Sequence, residues 1–406
     1  MNRLRSIEIR NFRGISSLEL PLKGLTVLVG ENGTGKSTII QALELLSLAG
    51  RSPRFVRDLL SFHGRPLDLF RAGTSVMELS AVVEAQNSEL SYSFSLHADP
   101  TKTWATVTSE LLDVRERAVT SPQEEPLRVI ERAPFSSAVF DIEHQELRTI
   151  EPASDQLLLS FFGSAAQPAI ASVQQALQGI RVHVPFDTTP AWIAEEQKRQ
   201  PGMRAPATFE PVTRLARLGT NLPNAFNTLK NRQPEAWRAV LEDVRSGLGA
   251  DVEDVQVQAV GRGLTDLALK FRAVSAPVFS SGLSDGQLSF LAFVALRHLD
   301  DAAALIAFDE PETHLHPGLL ARVVWLFEEL AEKRPVILAT HSDALLNMLS
   351  NPIEQVRVCR LDAERQVHLE RLDPDRFERF RMEFGGLGDL RREGLLSSVV
   401  VSEASA

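Results

Sequence analysis

The residues best equipped for chemistry stand together in Gly30-Glu-Asn-Gly-Thr-Gly-Lys-Ser-Thr38, which reads G-x-x-x-x-G-K-S. The glycines let backbone N–H groups crowd a phosphate with no Cβ in the way. Lys36 is placed to reach β- and γ-phosphates, and Ser37 to put its hydroxyl on Mg²⁺. The pattern has this meaning only between a buried strand and a helix. The apolar run Leu25–Val29 precedes it and Ile39–Leu46 follows, so the spacing predicts that setting. The helix N-terminus adds positive dipole at the same point.

Three further stretches have the types and positions for the same chemistry. Ala303-Ala-Leu-Ile-Ala-Phe-Asp-Glu310 is an apolar strand ending in two acids. Open α/β sheets bind ligands at such strand ends. Asp309 is expected to hold Mg²⁺, directly or through water, and Glu310 to polarise the attacking water as general base. Ile337-Leu-Ala-Thr-His-Ser342 ends a second such strand, and His341 there can meet a γ-phosphate or the attacking water. Ser280-Ser-Gly-Leu-Ser-Asp-Gly-Gln287 opens a helix, with Ser284 and Gly286 able to present a hydroxyl and backbone N–H to an anion. The plainer reading is a capped helix start, with Ser284 or Asp285 as the cap.

Residues 4–29 alternate as two strands and a third apolar run, and the helix after the glycine-rich loop ends near Ala49-Gly50. Residues 51–75 read as loop with a short helix. Alternation over 76–96 predicts a hairpin turning at Asn87-Ser88, a strand is expected over 104–114, and 120–127 reads as an exposed loop. Residues 155–180 and 222–247 read as helical, with a proline-rich connection between them. Strands over 252–260 and 264–274 lead into helix 286–300, strand 303–308, helix 317–332, strand 335–340, helix 342–350 and strand 355–361. That alternation predicts a parallel α/β sheet. The expected division is 1–150, an N-terminal lobe with an antiparallel β subdomain; 151–250, a helical insert; and 251–406, a C-terminal lobe. No heptads persist, so no long coiled coil is encoded.

Bulk composition bounds the rest. The chain has 406 residues, 44% hydrophobic and 24% charged, as globular domains do. No apolar run of about 18 residues suggests a membrane span. A start of Met1-Asn-Arg-Leu-Arg-Ser-Ile-Glu-Ile9 lacks a signal-peptide core, and the single Cys359 fits a reducing cytoplasm. A net charge of −10 means that any DNA contact must come from a local patch. Arg3, Arg5, Arg10 and Arg13 form one cluster in sequence. Arg376, Arg379, Arg381, Arg391 and Arg392 form another, and the default for each is a solvated face.

Phosphate loop, Leu-Ser-Asp-Gly-Gln, acid pair and Thr-His-Ser, in this order, resemble ABC-type ATPase heads, within them the RecF, SMC/Rad50 and OLD-like group. Ile7-Glu-Ile-Arg-Asn-Phe-Arg-Gly14 resembles that group's first strand, and Glu310-Pro-Glu-Thr-His-Leu-His-Pro317 its acid-pair extension. Gly385–Gly394 and Gly219–Leu222 resemble parts of stand-alone AAA_21-like bacterial ATPases. The resemblance implies ATP and Mg²⁺ as ligands and a head-to-head homodimer with ATP sandwiched between copies. It implies nucleotide contacts from Gly30, Asn32, Gly33, Thr34, Gly35, Lys36, Ser37, Thr38 and Arg13. Ser284 and Gly286 would reach the γ-phosphate in trans, with Ser37 and Asp309 on the metal. A Mg²⁺-sensing glutamine is also implied, and Gln145 and Gln156 are both candidates. Asp285 stands where transporter signatures carry glycine, and either tunes affinity or serves the cap. The implied partners are DNA, a nuclease or a toxin, in genome maintenance or anti-phage defence. The alternative is a low-turnover, nucleotide-dependent scaffold that sequesters such a partner. A transporter subunit fits poorly, because the signature lies far from the phosphate loop. A small-molecule kinase would not need the signature at all.

Overall fold

Leu25–Val29 is buried at every position, as is Val336–Ala339, and Leu305–Asp309 is buried up to its last residue. Strands covered on both faces belong to parallel sheets. In the computed structural model, which describes residues 2–65, 68–99, 104–116, 126–161, 167–196, 202–232, 234–299 and 302–402, these strands are adjacent. Spatially the sheet runs Ile180–His183, Leu305–Asp309, Val336–Ala339, Leu25–Val29 and Val356–Leu361, all parallel. Val367–Leu372 and Val400–Ser402 then extend it antiparallel.

Side chains alternate across a sheet, and here the alternation divides two cores. Leu28, Leu305, Ala307, Ile337 and Ala339 pack with helix Lys36–Arg51 and the N-terminal strands. Val27, Val29, Ile306, Phe308, Val336 and Leu338 pack on the opposite side. Their partners are helices Leu222–Lys230, Pro234–Leu248, Asp285–Leu299 and Pro317–Lys333.

A second sheet has eight strands in the order Ile15–Pro21, Arg3–Phe12, Val76–Ala85, Ser88–Ala98, Ala105–Glu116, Leu127–Ala133, Ser136–Asp141 and Glu146–Thr149, every pair antiparallel. The hairpin expected at Asn87-Ser88 turns one residue earlier. Ser88 already pairs with Ala85, and Gln86 takes the left-handed conformation at φ 48. Of the loop expected over 120–127, residues 120–125 lie outside the described residues, and Leu127 already begins a strand.

The range 151–250 is not helical throughout. Ile180–His183 joins the central sheet beside Leu305–Phe308, and Ala207–Thr208 pairs with Leu264–Phe271 in a small third sheet. Among the described residues the longest helix, Pro317–Lys333, has 17 residues, so none forms a long coiled coil. None is long and apolar enough to cross a membrane. The architecture is α/β, with large sheets flanked by helices.

Candidate nucleotide site

Because Leu305–Asp309, Val336–Ala339 and Leu25–Val29 are parallel neighbours, their C-terminal ends share one edge. Asp309 pairs with Ala339, and Ala339 with Leu28. Adjacent strands lie about 4.8 Å apart. The glycine-rich loop, the acid pair and the Thr-His-Ser turn therefore leave the sheet side by side.

The loop is shaped by backbone demands. Gly33 and Gly35 sit at φ 79 and φ 94, in the left-handed region. A Cβ on Gly30 would stand 2.3 Å from the Cys359 carbonyl oxygen, and one on Gly35 would stand 2.7 Å from Val367 Cγ2. Helix Lys36–Arg51 starts directly behind Gly35. Lys36 is buried, and its ammonium donates to the Gly30 and Glu31 carbonyls, each at 2.9 Å. Burial holds its pKa below the ordinary lysine value. The Thr34 hydroxyl donates to the Glu31 carbonyl at 2.8 Å. Asn32 and Ser37 are exposed, and Thr38 is half-buried in the first helical turn.

Ser37, Lys36, Glu310 and His341 all lie near enough to the Asp309 carboxylate to act on its charge. Burial pushes the Asp309 carboxyl up, against the pull of Ser37 and Lys36. Glu310 is exposed and left-handed at φ 53, its N–H donating to the Ala339 carbonyl at 2.8 Å. Glu312 accepts from the Thr340 hydroxyl at 2.7 Å and from the His341 N–H at 2.9 Å. Its second oxygen is buried without a partner. Arg391, half a domain away in sequence, donates to the His341 carbonyl at 2.7 Å.

The structure brings Lys36, Ser37, Asp309, Glu310 and His341 together. Arg13 occupies the turn between the first two strands at φ 51, with a buried Nε that has no partner. That turn borders the loop, since Gly14 and Gly35 both approach Val367. Ser284 and Gly286 lie at the start of helix Asp285–Leu299, where a Cβ on Gly286 would stand 3.0 Å from the His314 carbonyl oxygen. There the Gln287 N–H donates to Ser284 Oγ at 3.2 Å, and the Ser284 N–H donates to Gln287 Oε1 at 2.9 Å. Ser284 is thus the cap of a reciprocal capping box. Asp285 instead pairs with Arg204 at 2.6 Å, which holds its carboxyl below the usual range. Gln145 lies exposed in the last hairpin turn of the eight-stranded sheet, at the edge far from the strands entering the loop. Gln156 belongs to a segment tied down at both ends: Arg132 donates to its carbonyl at 2.6 Å, and the Asp155 carbonyl accepts from Val56 at 3.1 Å.

Sequence reasoning missed Glu312, Arg391 and Arg204. Glu312 lay inside the acid-pair extension and Arg391 inside the C-terminal arginine cluster and the Gly385–Gly394 segment, whereas Arg204 had no local signal. Cys359 is buried and its thiol is pushed up to about 12, an inert core residue. The arginine clusters are largely answered by acids: Arg10 by Glu8, Arg381 by Glu378, Arg391 by Asp343 and Arg392 by Asp389.

The residues present fit a nucleotide and Mg²⁺. Two glycines in the loop are left-handed, and side chains at Gly30 and Gly35 would collide. The Ser37–Asp309 pair offers the two oxygen donors that Mg²⁺ takes from protein when phosphates and water supply the rest.

A parallel sheet with a phosphate loop, an acid-ended strand and a histidine turn on one edge is the arrangement of a P-loop nucleotide-binding head. Comparisons with known proteins narrow the class. The AAA_21 family model, described as "AAA domain, putative AbiEii toxin, Type IV TA system", matches residues 227–347, and the AAA_15 model, "AAA ATPase domain", matches 3–93. The OLD nuclease of Thermus scotoductus is 24% identical over 97% of this chain and 70% of its own length. The DNA replication and repair protein RecF of Gloeobacter violaceus is 36% identical over 20% of this chain and 22% of its own. The structure of an Smc head bound to the C-terminal winged-helix domain of ScpA shares the fold. It has a TM-score of 0.53 at 14% identity, covering 92% of this chain and 99% of that one. Together these matches support an ABC-type ATPase head of the RecF, SMC and OLD group.

Proposed function

We propose that this head hydrolyses ATP in a site completed by a second copy of the chain, and that the resulting joining and parting of heads drives a DNA-associated or effector partner. The observation that carries the reading is the strand pairing of Leu305–Asp309, Val336–Ala339 and Leu25–Val29, which brings the phosphate loop and the acid strand to one edge and Ser37 near Asp309. Bound Mg²⁺ would supply charge neutralisation between phosphate oxygens, held by Ser37 and Asp309. Gly30, Asn32, Gly33, Thr34, Gly35 and Thr38 form the cradle around Lys36, which carries the fixed positive charge. Glu310, exposed and unblocked by its own backbone hydrogen bond, takes the proton of the attacking water. His341, held by Glu312 and Arg391 through its backbone, orients that water or the γ-phosphate.

Trans completion is supported by the placement of the signature. Ser284 and Asp285 face solvent, open to a second copy. Arg13, with its unpartnered Nε beside the loop, is the further nucleotide contact. For the partner, the likeness to an OLD nuclease favours a nuclease, and the RecF match favours DNA. The AAA_21 description, which names a toxin and a Type IV TA system, favours a toxin.

Phosphate release and nucleotide binding test the site. Lys36→Ala should lose ATP binding, and Glu310→Gln should bind ATP but turn over about 100-fold or more slower. Wild-type turnover by Glu310→Gln would remove Glu310 as base, and retained affinity in Lys36→Ala would remove the loop as the binding element.

A further inference from the structure

Helix Lys36–Arg51 has its C-terminal end about 24 Å from the phosphate loop, at 1.5 Å per residue over its 16 residues. Arg51 ends it. Beside it a cavity of about 250 Å³ is bordered by the edge strand Ile180–His183 and by residues 214–217. Four arginines line this cavity, Arg51, Arg181, Arg214 and Arg217, against one carboxylate, Glu44. They come from three separate elements. Crowding like charges is unfavourable in any fold, and this chain carries an overall −10.

Glu44 is already committed, ion-paired to Arg217 at 3.2 Å. The Arg181 guanidinium donates to the Gln178 carbonyl. Among the described residues, the Arg51 and Arg214 side chains have neither a hydrogen bond nor an ion pair. Partial burial of its head, and then the neighbouring Arg214, push Arg51 below the ordinary arginine value. A second feature lies in the wall. His183 is 2% exposed, its Nδ1 sits 3.3 Å from the Arg217 carbonyl, and its Nε2 is buried with no partner. Its ring stacks on Phe308, the residue before Asp309, at 5.8 Å between centroids.

We propose that this cavity is a second anion site, taking a terminal phosphate or pyrophosphate group between Arg51, Arg214 and Arg181. Guanidinium forks match tetrahedral oxyanions in paired hydrogen bonds, and several can share one multiply charged group. The cavity has room for a pyrophosphate group with water around it. The site is independent of the nucleotide reading, because it lies at the other end of the helix. That chemistry has two sources, a free small phosphate or the 5′-phosphate of a nucleic-acid strand.

The test is calorimetric titration without divalent cations, at low salt, on the Lys36→Ala protein, so that the phosphate loop is disabled. The probes are inorganic pyrophosphate, a 5′-phosphorylated oligonucleotide and its 5′-hydroxyl counterpart. Saturable binding of pyrophosphate or of the phosphorylated strand is expected. It should weaken at least about 10-fold when Arg51→Glu and Arg214→Glu are added. Arg51→Gln with Arg214→Gln, milder for folding, should weaken it in the same direction. Pyrophosphate binding alone assigns a free phosphate, and binding of the phosphorylated strand alone assigns a nucleic-acid end. Either outcome supports the site. No saturable binding of any probe, binding untouched by both pairs of substitutions, or equal binding of the 5′-hydroxyl strand would overturn it.

Discussion

Arg391 Nη1 stands 2.7 Å from the His341 carbonyl oxygen and 2.7 Å from Asp343 Oδ1. One guanidinium from the C-terminal helix Leu387–Arg392 thus holds the backbone of the histidine turn and the first residue of the helix after it. The two helices are packed tightly, since a Cβ on Gly388 would stand 2.0 Å from the Asp343 carbonyl oxygen.

Arg391 is therefore a positioning residue for His341. Arg391→Ala should lower kcat about 10-fold, with a smaller change in KM for ATP that reflects the arginine's place in the wall of the cavity beside Gly30, Asn32 and Thr34. Arg391→Lys should recover part of the loss. Steady-state phosphate release over a range of ATP concentrations measures both; an unchanged kcat would leave Arg391 with a structural role alone.

Arg204 does the equivalent work at the signature. Its side chain is 11% exposed; it pairs with Asp285 and donates to the Thr188, Ser280, Ser281 and Leu283 carbonyls. Arg204→Ala leaves several of these without partners and should cost about 2–3 kcal/mol of stability. Turnover should fall while fluorescent-nucleotide binding persists, since the phosphate loop belongs to another edge. Denaturant unfolding and a binding titration on the same variant check the pair of effects.

Glu110 carries a pH signature. It is fully buried, accepts from the Leu158 and Leu159 N–H groups at 2.6 and 2.8 Å and from Tyr92 at 3.0 Å, yet burial pushes its carboxyl up to about 7. A raised carboxyl means that the folded state binds more protons than the unfolded one between about 4.5 and 7. Its contribution to stability is full below that window and falls as pH rises through it, by up to about 3 kcal/mol. His183, pushed down to about 4, acts in the opposite sense below pH 6.5. The readout is therefore the difference between wild type and Glu110→Gln in thermal unfolding at each pH. That difference should favour wild type progressively as pH drops from 8 to 5.

The site was legible where chemistry sits at the end of an apolar run. Leu25–Val29, Leu305–Asp309 and Val336–Ala339 each announce a buried strand, and the residues following them are the loop, the acids and the histidine. The strands Ile180–His183 and Glu146–Thr149 were not legible. Four residues are too few to show a period, and the second is exposed throughout. Glu110 left a trace, a carboxylate at an inward position among Val107 and Leu112. Arg391 stood in a named arginine cluster, but its hold on His341, about 50 residues away, comes only through the fold, and Arg204, about 80 residues from Asp285, left no trace.

The most direct test of the shared site mixes two proteins, each inactive by itself. Lys36→Ala lacks the phosphate loop's cation, and Ser284→Arg blocks the signature with a bulky charge at an exposed cap. A mixed dimer contains one intact composite site, built from the loop of one copy and the signature of the other. Mixing equal amounts should restore about a quarter of wild-type phosphate release, the share expected if half the dimers are mixed and each has one working site. A mixture as inactive as its two components would contradict completion of the site by a second copy.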